Sequence, residues 1–259
     1  MAQTERKESI KDDFRNHPVF KPPSDHDSPI WRYMDFTKFV SMLQYGGLYF
    51  RRVDLLGDPF EGSLPRLSVE ARERLFKTLM KGDIDGPVDA LAHHHRVMRM
   101  TAFANCWHLN DHESAAMWAH YAGTEGAIAI RSTFRALDDS LGDAVFLGMV
   151  KYIDYKEEII GEKDNSLSPL IYKRASFAHE REVRALVWDV PLFKKCFNSD
   201  AEPNEVGRYE RVDLDRLISR VFVAPRAQPW LRELVEAVTR KHGLAKVVHQ
   251  SSLDEEPLF

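Results

Sequence analysis

Apolar runs in this chain are short, and they alternate irregularly with segments of helical period. "TAFANCW", "GAIAIRS", "EVRALVWD" and "ISRVFVAP" have strand length, whereas "TKFVSMLQYG", "SVEARERLFKTLMKG" and "PWLRELVEAVTRKHG" repeat apolar residues at helical spacing. A steady strand–helix–strand rhythm would point to a parallel sheet, and the sequence lacks one. The pattern predicts an α+β fold, a mostly antiparallel curved sheet with flanking helices. No run approaches the ~20 apolar residues of a membrane-spanning helix, so no membrane partner is expected.

The segments divide as follows. Residues 1–29 read as a separable polar and proline-rich extension, because "HPVFKPPSDHDSP" resists both helix and sheet. Residues 30–259 read as one domain; with 44% hydrophobic residues the chain as a whole can bury a large core. Thr37 is the expected N-cap of the first helix, closed by Gly46-Gly47, and Ser68 caps the next. A loop is expected over 83–88, then a helix in "VDALAHHHRVMRM". Further helices are expected in "ESAAMWAHYA" and "PLIYKRASF", and a strand in "AVFLGMVKYID". Cys106 and Cys196 provide no disulfide framework. The first residues lack the apolar core of a signal peptide, so a cytoplasmic protein is expected. A formal charge of -4 gives no global basic field for nucleic acid.

Chemistry-bearing residues concentrate in three stretches. In "CWHLNDHESAAMWAHY", His108, Asp111, His112 and His120 are of metal-ligating type, but HExxH is missing and His93-His94-His95 cannot point to one centre from one helix. No metal is expected. Cys106 and His108 share a strand face without the geometry of a nucleophile and its base, and no GxSxG, GxGxxG or GxxxxGK[ST] occurs. Met117, His120 and Tyr121 share a helical face, which either packs on the sheet or lets His120, Tyr121 or Trp107 line a cleft. In "WRYMDF", Arg32 between Trp31 and Tyr33 suits a planar charged ligand such as a nucleotide, and Arg51 and Arg52 add phosphate contacts or plain surface charge. In "HEREVRALVWD", strand period puts Glu180, Glu182 and Arg184 on one face, either as an ion-pair ladder or as a carboxylate working on a ligand with Arg184 holding its geometry.

Four ordered motifs carry a resemblance. Tyr33, then Asp58-Pro59-Phe60-Glu61, then Met117-Trp118 with Tyr121, then Glu180, Glu182 and Arg184 resemble the bacterial domain-of-unknown-function 2971 family over about residues 30–252. Gly57 stands where that family commonly has asparagine. The family carries no established activity. A weaker likeness, in element order, is to the ADP-ribosyltransferase superfamily. It implies NAD as co-substrate, with Glu182 or Glu180 as the catalytic carboxylate stabilising positive charge at the ribose. Arg32 and Tyr49 would hold the cofactor, with Tyr33, Arg51, Arg184, Tyr121 and His120 around it, and the acceptor would be a protein or a nucleic acid. Two alternatives accompany it: a non-catalytic ligand- or partner-binding module of a bacterial stress or phage-response system, and a metal-dependent hydrolase or nuclease.

Overall fold

The computed structural model describes residues 14–79, 85–121, 126–160, 165–199 and 201–259, and of Tyr121 the backbone alone. Its strands are β1 (Pro29–Asp35), β2 (Gly47–Arg52), β3 (Ala102–Leu109), β4 (Ala127–Thr133), β5 (Phe146–Met149), β6 (Lys151–Ile153), β7 (Tyr172–Arg174), β8 (Glu182–Trp188), β9 (Gly207–Arg211), β10 (Arg220–Val223) and β11 (Val248–Gln250). Its helices are α1 (Phe36–Tyr45), α2 (Arg66–Leu79), α3 (Asp85–Thr101), α4 (Ala115–Tyr121), α5 (Phe134–Ser140), α6 (Val190–Ser199), α7 (Leu214–Leu217) and α8 (Pro229–Lys241). The expected α+β class is what the chain adopts.

Among the described residues nine strands join one sheet, in the order β11-β10-β4-β1-β3-β2-β9, with β8 on β3 and β5 on β8. Only β10 and β11 run parallel within it. The sheet forks at β3. One edge of that strand pairs with β8 along its length, from Ala102↔Trp188 to His108↔Glu182. The other edge is shared, with β2 at Ala104↔Arg51 and β1 at His108↔Trp31.

Strand period then assigns the faces. Phe103 and Trp107 of β3, Val183 and Ala185 of β8, and Ile30 and Met34 of β1 share one face with Phe39 and Met42 of α1 and Leu231 and Val235 of α8. Ala102, Ala104 and Leu186 lie on the other, under Met98 of α3, Leu170, Ile171 and Phe20. Trp31, Tyr33, Met117 and Trp118 extend that second face. Met117 and Trp118 thus anchor α4, while His120 is exposed.

Several local expectations change. Asp35, not Thr37, caps α1, accepting from the Lys38 amide at 2.8 Å. Ser68 lies inside α2, where its hydroxyl accepts from the Ile160 amide at 2.8 Å. The stretch "PLIYKRASF" is not a helix: it is a 3-10 turn (Ser168–Leu170), strand β7, and a second 3-10 turn (Ala175–Glu180). "AVFLGMVKYID" divides into β5 and β6, of which β6 leaves the main sheet to pair with β7. The described part of the N-terminal extension is docked rather than loose. Phe20 is 1% exposed and stacks on Phe146 with ring centroids 4.9 Å apart. The strap crosses β5 at Gly148, where a Cβ would stand 2.7 Å from the Phe20 carbonyl carbon, so only glycine admits the backbone that closely. Phe20→Ala should therefore lower stability by about 3–5 kcal/mol in urea unfolding, whereas a loosely draped arm predicts no measurable change.

Candidate functional site

Strand β8 carries two charged side chains into the second core. Arg184 is 0% exposed and Glu182 4%. Burying such groups costs several kcal/mol each unless every partner is in place, and here the partners come from four segments. Arg184 grips Glu182 with two hydrogen bonds, Nε to Oε1 at 2.7 Å and Nη2 to Oε2 at 3.1 Å. Its Nη1 donates to the Leu170 carbonyl at 2.7 Å. Glu61, from the "GDPFEG" turn, lies with Oε2 2.8 Å from Arg184 Nη2, close enough to pair charges but outside hydrogen-bond alignment. Lys173 of β7 completes the network, its Nζ 2.5 Å from Glu180, 3.1 Å from Glu61 and 3.2 Å from Glu182. Beside it Asp58 pairs with Arg174, which lies over the Phe60 ring.

These contacts fix the protonation states. Burial alone would raise the Glu182 carboxyl, but Arg184 and then Lys173 outweigh it and hold it well below the usual carboxylate range. Lys173 is held above the ordinary lysine value: burial opposes its charge, yet Glu182 and Glu61 prevail. Burial, then the Glu182 carboxylate, pushes the Cys106 thiol up, so it is not a thiolate at neutral pH.

The residues expected around a nucleotide are not brought together. Arg32 projects from the face of Ile30 and Met34, with Ile130 as its cross-strand partner, and Glu182 projects from the opposite face. The early guanidinium and the late carboxylate are thus separated by the sheet itself, which corrects the expectation that they share one hollow. Tyr33 does lie on the Glu182 side, but it is 4% exposed, with its hydroxyl accepting from the Ser114 amide and its ring edge-on to Trp118 at 5.0 Å. His108 stands between them in register, its Nδ1 2.6 Å from the Glu180 carbonyl. Tyr49 belongs to the β2–β9 edge, where its phenol packs over Gly207. Arg51 donates to the Leu55 carbonyl at 2.7 Å. Trp107 points to the Arg32 face and donates to Asn105. Glu180 belongs to the 3-10 turn, not the strand: Arg181 at φ 40° breaks the period between them, and Lys173 is what rejoins Glu180 to Glu182. The Tyr121 side chain lies outside the described residues. Among them no group of three or more His, Cys, Asp or Glu side chains is placed to hold a metal ion; the three carboxylates that do meet enclose Lys173.

A second place draws residues that the sequence did not single out. Between α2 and α3 lies a hollow of about 280 Å³. Val69, Phe76, Val88 and Leu91 form its apolar walls, and Arg72, Arg96 and Arg99 line it against the one acidic residue, Glu73. The signal was present as two helical stripes, Val69-Arg72-Phe76 and Val88-Leu91-His95-Arg99, but each alone is an ordinary amphipathic face. The "GDPFEG" turn links hollow and network. Glu61 faces the ions, while Gly62, at φ 70°, presses against α3 so closely that a Cβ would meet Arg99 Cγ at 2.7 Å. Arg99 Nη2 donates to the Pro59 carbonyl at 3.0 Å. Arg72 Nη1 lies 3.0 Å from His95 Nε2. Burial, then Arg72 and His94, lowers His95 from 6.5 to about 4, so it is neutral at pH 7.

Two outcomes follow from these environments. Arg184→Met strands buried Glu182 and Glu61 and should cost about 3–5 kcal/mol by urea unfolding; Arg66→Ala, which removes the exposed Arg66–Glu70 pair, should cost no more than about 0.5 kcal/mol. For His95 the folded chain resists a proton that the unfolded chain accepts. Its contribution to stability is complete above pH 6.5 and is lost as pH falls through 6.5 towards about 4. Melting temperature should fall across that window, and His95→Gln should flatten the fall; an unaltered pH profile in the variant would contradict the burial of a neutral ring.

Comparison with protein-family models, with curated proteins and with solved structures gives no match. What this molecule does has to be read from its own geometry.

Proposed function

We propose that this chain is a ligand-binding module that works without turnover, with the hollow between α2 and α3 as its site. The observation that carries this reading is the contrast between its two sets of charges. Glu182 engages both carboxylate oxygens with Arg184 and Lys173 and is 4% exposed. A carboxylate that stabilises a reacting ribose has to touch it, and geometry precedes pKa in judging such a role. The hollow offers the reverse: cationic donors, apolar walls and access from outside, the usual composition of a small-molecule site.

The resemblance of the sequence motifs to the domain-of-unknown-function 2971 family fits the same reading. Tyr33 lies against Trp118, Glu61 shares one ion network with Glu180, Glu182 and Arg184, and Asp58 is fastened beside it through Arg174. Residues joined in this way hold the scaffold of a site rather than its chemistry.

Purified protein incubated with NAD should release no nicotinamide above the buffer rate. In a thermal-shift panel of small molecules, any class that binds should raise the melting temperature, by mass action on the folded state, and Leu91→Trp, which fills the hollow, should abolish the rise. Nicotinamide release that disappears in Glu182→Gln would overturn the proposal, as would ligand-induced shifts that survive Leu91→Trp.

A further inference from the structure

Taking the hollow as the binding site, we infer that its ligand is a small organic anion, with a carboxylate, sulfonate or phosphate head on a flat apolar body. The charges argue for the head. Among the described residues no carboxylate lies within ion-pair reach of Arg72, Arg96 or Arg99. Arg72 meets a neutral imidazole and Arg99 a backbone carbonyl, so each guanidinium keeps its charge uncompensated. Arg99 Nε is buried and has no acceptor. A buried donor without a partner is costly, and an entering oxyanion would satisfy it while pairing with the remaining donors of the fork.

The walls argue for the body. Arg72 meets His95, and Arg99 reaches back to Pro59, ahead of α2, so the two helices run in opposite directions. Arg72 and Arg99 therefore lie towards the "GDPFEG" turn, with Val69 beside them, and Phe76 and Val88 towards the far end. A ligand with charge at one end and apolar surface at the other matches that gradient. A hollow of about 280 Å³ is at the lower limit of ligand pockets, about 300–1,000 Å³, which selects a one- or two-ring molecule over a dinucleotide.

The test is a calorimetric titration of the full chain with 2-naphthoate, with 2-naphthalenemethanol as its uncharged analogue and inorganic phosphate as a head without a body. Naphthoate should bind one to one, about tenfold or more tighter than the alcohol, the scale of one charge-assisted hydrogen bond; phosphate should not displace it at equal concentration. Arg99→Gln and, independently, Arg72→Gln should weaken naphthoate about tenfold and leave the alcohol unchanged, with unaltered circular dichroism showing that each variant is folded. Equal affinity for alcohol and acid would overturn the anion inference and leave the hollow as a site. Naphthoate binding that persists in Leu91→Trp, or no binding by any of the three probes, would overturn both.

Discussion

The contact between Arg184 and Glu182 governs this fold. A guanidinium with no solvent exposure cannot be tolerated alone, so every segment that supplies a partner must be in place before β8 can lie in the core. Those segments are the "GDPFEG" turn through Glu61, the 3-10 turn through the Leu170 carbonyl, and β7 through Lys173. Hydrophobic burial would accept many arrangements of these loops over the sheet. The ion network accepts one, because a shift of a few ångströms would strand a charge. Three carboxylates face two cations, and the excess acid, Glu180, is the member nearest solvent, its side chain 20% exposed.

The same network sets the position of the hollow. Asp58 and Glu61 fasten one side of the "GDPFEG" turn to Arg174, Lys173 and Arg184. Its other side, Pro59 and Gly62, abuts Arg99 of α3. The left-handed backbone at Gly62 lets consecutive residues face opposite ways, one into the ions and one onto the helix. The floor of the hollow is therefore tied to the charge network behind it, while α2 and α3 form its walls, α3 packing in turn on α6, β2 and β3. Donors tied down beneath an open apolar slot reduce the ordering cost of binding.

Much of the fold was legible in the sequence because local period and tertiary demand agree. Phe39, Met42 and Leu43 repeat at helical spacing and pack on the sheet as that spacing requires, and Val183, Ala185, Arg184 and Leu186 alternate as strand residues do. "PLIYKRASF" misleads because its residues serve the network instead of their own helix. The Leu170 carbonyl must stay open to Arg184, and Lys173 must extend to reach three carboxylates. Arg32 and Tyr33 show a different limit. Alternation says that neighbours point to opposite faces, but only the register Trp31↔His108↔Glu182 says which one faces the acid. The hollow was least legible, since its cations come from two helices whose juxtaposition no single stretch encodes.

The division of charge between the two places reverses the impression the sequence gives. "HEREVRALVWD" looks reactive because carboxylates and a guanidinium are crowded together, but crowding is what lets them neutralise one another out of water. Arg72, Arg96 and Arg99 look ordinary because they are spaced along amphipathic helices, and unlike Arg66 none of them pairs with an acid among the described residues. A binding site needs charge that the fold has not already compensated. By that criterion the network, however dense in polar side chains, is closed to ligands, and the sparser hollow is where an anion gains most by entering.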